Sequence, residues 1–520
     1  MLISLLLILP FACSCLMLAS SSRDVNSAFR LGLFSVAMPL ILATVLIFTG
    51  GQQIESRVWF SFLEIEFGFS LYGHGLSLWM AWLTALLCFL AFTYSKEALN
   101  FGVKKFAVGL LALEGTIIGA FLSAKNLVQF LFFFEAMILP AAMIIALYGG
   151  LKRRHATIAF SLYTLVGSIP LLFGSWYLIT KAGSDDIVIL IETLRGLPTA
   201  TQSSLFIAFA IAFAVKTPVF PFHGWQGISY SEAPYPLSAI LSGAMAKVGI
   251  FGFAVWTIPL FSNIDYTFYL IPIALFSALF AAALAFKQTN IKRLLAFSSM
   301  SHLSLALAGL FCLSDVVNAG VAVMLVGHGL TAGGLFFFSG IAQKWTGSTN
   351  IKFYGAFAST NPIYAFIFGF LSIAAIAVPT TIGFVGEFLI LQGLFNSGLP
   401  LFGLIGGICI ICSAAYMLRL IKHVLLGPVP VRDYVSLSKF EGAAAVPIII
   451  LILYFGLHPA PILNSFEVEE KNKALTESEM QEFEKFMEDL FKNMEAQGFE
   501  LVIEEEENEE VNEEENDDEQ

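Results

Sequence analysis

Residues 203–225 read SSLFIAFAIAFAVKTPVFPFHGW. The run opens as an apolar helix suited to a hydrocarbon layer, which takes about 20 such residues to cross. It then does two things that a plain span does not. Lys216 puts a charge inside the apolar run, and a charge at mid-bilayer costs about 2.5–3.5 kcal/mol on insertion scales. Pro218 and Pro221 follow at once. Proline has no N–H and crowds the carbonyl four residues back, so the freed backbone must be met by neighbours or by a water-lined cavity. A helix broken in the membrane beside an ionisable residue is a device of transport proteins.

Reading outward, comparable apolar runs lie near 1–19, 31–50, 74–94, 106–123, 127–148, 156–180, 203–222, 237–258, 267–286, 295–313, 316–339, 362–395, 400–421 and 441–457. The expected fold is therefore all-α and polytopic, with about 14 transmembrane helices. Composition agrees: 57% of the 520 residues are hydrophobic and 13% charged, against about 25% charged in soluble chains. Spans four to eight and nine to thirteen form two five-helix units, and an odd number of helices per unit inverts the second relative to the first. The fourth helix of each unit is interrupted, in the second by Pro379-Thr380-Thr381-Ile382-Gly383 ahead of Glu387. The expected domains are helices one to three over 1–105, a first antiporter-type repeat over 106–258, a second over 259–422, a final helix region over 423–466, and an acidic, partly disordered tail over 467–520.

Of the 39 acids, 23 lie in that tail with 4 of the 27 bases, so the membrane body is mildly basic despite a net charge of −12. With the N-terminus outside, 17 of the body's bases, including Lys104, Lys105, Arg153 and Arg154, fall in inside loops and four, Arg57, Lys125, Lys181 and Arg195, in outside ones. Cytoplasmic loops carry the excess of Lys and Arg, which places both termini on the outer side of a bacterial inner (plasma) membrane. Within the tail, apolar residues from Met480 to Met494 recur at helical spacing, consistent with an amphipathic helix over 475–498. Cys409 and Cys412 form a C-x-x-C in an apolar run without a nearby His or second pair, and read as structural; no metal or nucleic-acid ligand set stands out.

The informative residues are the ionisable ones within spans: Glu114, Glu135, Lys216, Lys247, His302, His328 and Glu387. Such groups persist in a bilayer when they pair, neutralise or line water. Each histidine also admits a purely structural, hydrogen-bonded role. Lys292 and Arg293, near the interface, fit snorkelling side chains equally well. The order acid, Lys, Lys, acid in Glu135, Lys216, Lys247 and Glu387 reads as a row of protonatable sites over the two repeats. A lysine beside a carboxylate holds its proton, and one that swings away releases it, which is how coupled titration can move protons.

LFFFEAM (131–137), FAVKTP (213–218), HGW (223–225), QTNIKRL (288–294), SMSH (299–302) and GFVGEF (383–388) together resemble the antiporter-like membrane subunits of NADH:quinone oxidoreductase (complex I) and their relatives in multisubunit Na+/H+ antiporters and membrane-bound hydrogenases. The Glu at 387 is similar to the M-type (chain 4) branch, where sister branches carry Lys. The resemblance implies a proton-translocating subunit of a respiratory translocase, with Glu135 and Lys216 paired in a first half-channel, Lys247 as central relay, Glu387 as exit site, His302 and His328 between, and Glu114 as a further acid of the set. It implies no redox centre in this chain, with quinone, FMN and iron–sulfur clusters in partner subunits, and sister antiporter-like subunits as neighbours in the lipid bilayer. The alternative it leaves is a subunit of a multisubunit Na+/H+ antiporter or hydrogenase-type complex. Two positions depart from the family pattern: Gln226–Pro234 after His-Gly-Trp, where Leu-Pro-Asp-Ala-His is usual, and His74 before Gly75-Leu76-Ser77, where Asp is common.

Overall fold

A computed structural model describes residues 2–20, 25–99, 102–264, 266–397, 399–428 and 437–465. The acidic tail, with the helix expected over 475–498, lies outside these residues. In chain order the main elements are α1 (Leu2–Ala19), α2 (Val25–Phe48), β1 (Gln52–Phe62), β2 (Ile65–Gly73), α3 (Gly75–Ala98) and α4 (Val103–Leu122). They continue as α5 (Leu127–Tyr148), α6 (Arg153–Ala182), α7 (Ile187–Arg195), α8 (Thr199–Lys216), α9 (Gln226–Glu232) and α10 (Tyr235–Leu260). The second unit holds α11 (Thr267–Lys287), α12 (Ile291–Leu310), α13 (Asp315–Thr346), α14 (Pro362–Ala374), α15 (Ile382–Asn396) and α16 (Pro400–Leu425), and α17 (Lys439–Leu457) closes the body.

Thirteen helices among the described residues are long and apolar enough to cross a membrane. The remaining expected span, the twelfth at 362–395, is two short helices, α14 with 13 residues and α15 with 15. Both expected interruptions are present. The seventh span stops as a helix at Lys216 rather than running to 222, and resumes as α9. In that break the Trp225 indole donates to the Val215 carbonyl at 3.1 Å, supplying a donor that Pro218 and the turned backbone withdraw. The two five-helix units, α4–α10 and α11–α16, thus carry matching broken helices.

The helices sort by composition into a sheathed centre and a rim. α3, α10, α12 and α13 pack on one another, and α4 joins them through α3 and α10; nearly all of each is buried. Rim helices turn Phe173, Trp176, Phe366 and Ile411 outward, as a hydrocarbon-facing surface requires. Glycine sets the closest approaches. A Cβ at Gly386 would stand 2.6 Å from the Met324 backbone nitrogen, so α15 meets α13 almost backbone to backbone.

One element has no counterpart in the sequence reading. β1 and β2 form an antiparallel hairpin with Phe62 opposite Ile65. Its two turn residues, Leu63 and Glu64, both have positive φ, 53° and 62°. Two-residue hairpins need that conformation but usually advertise it with Asn-Gly or Asp-Gly, so the turn was invisible. Asp185, in the loop between α6 and α7, ties the hairpin to α5. It accepts from the Gly68 N–H at 2.8 Å, the Asn126 amide at 3.2 Å and the Val128 N–H at 3.3 Å.

Candidate functional site

In the first unit, Glu135 sits at the end of the first half of α5, where the helix is interrupted at Met137. Pro140 explains the interruption, because it cannot donate to the carbonyl of Ala136, four residues back. Glu135 is half-buried, and its Oε1 has no hydrogen-bond partner. It lines an open cavity of about 530 Å³ with Phe132, Leu172, Ser175 and Trp176. Lys216, the last residue of α8, is buried. Its ammonium donates to the Phe134 carbonyl at 3.4 Å and stands 4.7 Å from the centre of the Phe134 ring. Glu135 and Lys216 are electrostatic neighbours, but they do not close to an ion pair.

Lys247 is wholly buried at the middle of α10. The turn before it, Leu241–Met245, is a widened π turn in which the Ala246 N–H reaches back to Leu241. Lys247 folds over that turn and donates to the carbonyls of Ser242 at 3.1 Å and Gly243 at 2.7 Å. Such widened turns recur at functional sites because they release backbone acceptors. An ammonium here is solvated by its own helix.

From the same turn a line of polar side chains runs into the second unit. The Ser242 hydroxyl donates to the Ser299 hydroxyl at 2.9 Å, and Ser299 Oγ lies 3.0 Å from His328 Nε2. The His328 and His302 rings are 5.5 Å apart. His302 Nδ1 lies 3.0 Å from Glu387 Oε1, both groups buried. His302, His328, Thr331 and Glu387 share a cavity of about 20 Å³, room for one water, and His302 Nε2 has no protein partner. Glu387 follows the break between α14 and α15 as Lys216 precedes the break in the first unit.

Six of the seven expected residues thus fall into two groups, Glu135 with Lys216 and Lys247 through Glu387. Glu114 joins neither by a hydrogen bond. It is buried on α4, both carboxyl oxygens unpartnered, with Cys13 and Cys88 nearby. Lys292 is buried rather than snorkelling. It donates to the Ala233 carbonyl at 2.9 Å, just beyond α9, beside Glu232, and so ties the broken helix of the first unit to α12. Ser242 and Ser299 were missed as members of the line. Neutral hydroxyls in spans usually bond back to their own helix, and the sequence holds no mark that separates these two from the rest.

Residues 124–412 match the family described as NADH:quinone oxidoreductase/Mrp antiporter, TM. NADH-quinone oxidoreductase subunit M of Rickettsia prowazekii is 33% identical over 81% of this chain and 86% of its own length. The chain belongs to that family. Subunit M of Rhodobacter capsulatus is 32% identical over 79% of this chain and 82% of its own. Respiratory complex I from Thermus thermophilus contains a chain of the same fold, with TM-score 0.79, 29% identity and coverage of 90% of this chain and 98% of that one. A Dietzia Mrp complex shares the fold at TM-score 0.79 and 17% identity. The family's two branches therefore share the architecture seen here, and the curated relatives named above belong to the M type.

Proposed function

We propose that this chain is the M-type proton-translocating subunit of a respiratory NADH:quinone oxidoreductase, in which quinone reduction in partner subunits drives protons through this membrane arm. The reading rests on one observation: a buried lysine in one repeat sits on the turn from which two hydroxyls and two imidazoles, the rings 5.5 Å apart, line up toward a buried carboxylate in the other. Each group in that line can hold or pass a proton, and none is at the surface. Glu135 and Lys216 load the line from the first unit, Lys247 relays, and Glu387 receives the proton through His302 and discharges it. Opposite charges about 4 Å apart at an effective dielectric near 20 interact by about 4 kcal/mol, so moving Lys216 toward or away from Glu135 is enough to bind or release its proton. FMN, iron–sulfur clusters and quinone belong to partner subunits, sister antiporter-like chains flank this one, and both termini face the outer side of the bacterial inner membrane. Among the described residues no group of three His, Cys, Asp or Glu is placed to hold a metal.

The test is Lys247→Met in membrane vesicles, reading proton pumping and the amount of assembled complex on the same preparation. Removing a buried ammonium should leave assembly intact and lower pumping per complex by on the order of a hundredfold. Normal pumping in every complex that remains would mean that Lys247 only holds helices together, and the reading would fall.

A further inference from the structure

We propose that the hydroxyls of Ser242 and Ser299 form the proton-conducting link between Lys247 and His328. The inference deepens the translocation reading and rests on it. The geometry is a chain of short contacts inside a region with no surface access. Lys247 Nζ is 3.1 Å from the carbonyl of Ser242, and that residue's hydroxyl donates to Ser299 at 2.9 Å. Ser299 Oγ is then 3.0 Å from His328 Nε2. Ser242, Ser299 and Lys247 are each essentially unexposed.

The orientation of the pair carries the argument. Ser242 gives its hydrogen to Ser299, and in the tautomer that leaves His328 Nε2 unprotonated the Ser299 hydroxyl donates to that nitrogen across the 3.0 Å contact. Transfer then needs one new contact. The ammonium turns from the Ser242 carbonyl to the hydroxyl of the same residue. One Nζ–H bond breaks and an O–H bond forms on Ser242; the original Ser242 hydrogen passes to Ser299, and the original Ser299 hydrogen passes to Nε2. Lys247 ends neutral, His328 ends as imidazolium, and both hydroxyls are intact but point the other way. The reversed pair cannot conduct a second proton until it turns back, so the link passes one proton per cycle and resists leakage between strokes.

The π turn explains why a hydroxyl at 242 is so placed. It widens α10 where Ser242 and Gly243 face α12 and α13, and Gly243 keeps the helices close: a Cβ there would stand 3.3 Å from the Gly329 carbonyl, beside His328.

The experiment uses the assembled complex in native membranes. Ser242→Ala, Ser299→Ala and the double variant are compared with Ser242→Thr, which keeps a hydroxyl. Each single alanine should lower pumping per assembled complex by roughly tenfold or more. The double variant should be no worse than the poorer single, because the two groups act in series. Threonine should restore most of the rate, and the H2O/D2O rate ratio should rise in the alanine variants, where proton transfer across the link limits turnover. Independent, additive losses that track the amount of assembled complex would assign the pair a packing role and overturn the link. Pumping intact in the alanine variants while Lys247→Met abolishes it would overturn the link but leave the translocation reading standing; pumping intact in all of them would remove both.

Discussion

The two broken helices place their charges differently. In the first unit the ammonium of Lys216 closes α8 and leans on a backbone carbonyl and an aromatic face, while Glu135 stands apart with an unpartnered oxygen. In the second, Glu387 and His302 are already in contact at 3.0 Å. A helix C-terminus favours a cation, and Lys216 is the last residue of its half-helix; Glu387 lies in the second turn of α15, beyond the reach of that helix's end, and is met by His302 instead. The difference in contact teaches more. An open pair can close when something drives it and a closed pair can only be opened, so on the proposed function the first unit responds and the second holds.

That contrast is broken most directly by shortening each acid. Aspartate keeps the charge but withdraws the carboxylate by one methylene. At Glu387 the contact with His302 is lost, and pumping per complex should fall by on the order of tenfold or more. At Glu135 there is no closed ion pair to lose, only the neighbouring Ser168 hydroxyl, and Glu135→Asp should stay within about twofold of the parent chain. Vesicle pumping normalised to assembled complex measures both. If Glu135→Asp proves the more damaging, the first unit is not the open one.

Much of this was legible in the sequence, for identifiable reasons. Spans declare themselves by length and apolarity, and a proline beside Lys216 or ahead of Glu387 declares a break. The hairpin escaped because Leu63 and Glu64 adopt a turn without turn residues. The π turn at 241–245 escaped because it arises from packing against α3 and α13, not from a local signal. The openness of Glu135 and Lys216 also lay beyond the sequence: the family resemblance implied a pair, whereas their separation depends on where the two backbones run in the fold. The roles of Ser242 and Ser299 follow only once the π turn is known.

A second way to sharpen the comparison is to press on the holding unit through its packing. Gly386→Ala puts a methyl against the Met324 backbone, with atoms at 2.6 to 2.7 Å that no side-chain rotation can move. The cost should be about 1–3 kcal/mol, read as a several-fold fall in assembled complex, because α15 must retreat from α13 and carry Glu387 with it. Pumping per surviving complex should fall too. Unchanged assembly together with unchanged pumping would show that the close approach of α13 and α15 is not needed to hold the closed pair.

The smallest effect is expected at the hairpin end of the first unit. Since Glu135 makes no ion pair, α5 is fixed at its other end, where Asp185 accepts from Val128 in its first turn while also holding Gly68 of the hairpin. Burial pushes the Asp185 carboxyl above its usual range, against the pull of those N–H donors and the Asn126 amide. The sign follows from the direction. With the folded value above the unfolded one, the native state holds the extra proton, so the contribution of Asp185 to stability is full below the unfolded value and is lost as pH rises through the folded one. Asp185→Asn removes that titration and turns an amide N–H toward the Val128 N–H, a loss of about 1–3 kcal/mol. The variant should melt below the parent complex at every pH, with a gap that is widest in mild acid and narrows toward neutrality. Pumping per complex should be nearly unchanged, since Glu135 is not touched. A gap that widens as pH rises would mean that the carboxylate, not the acid, fastens α5 to the hairpin.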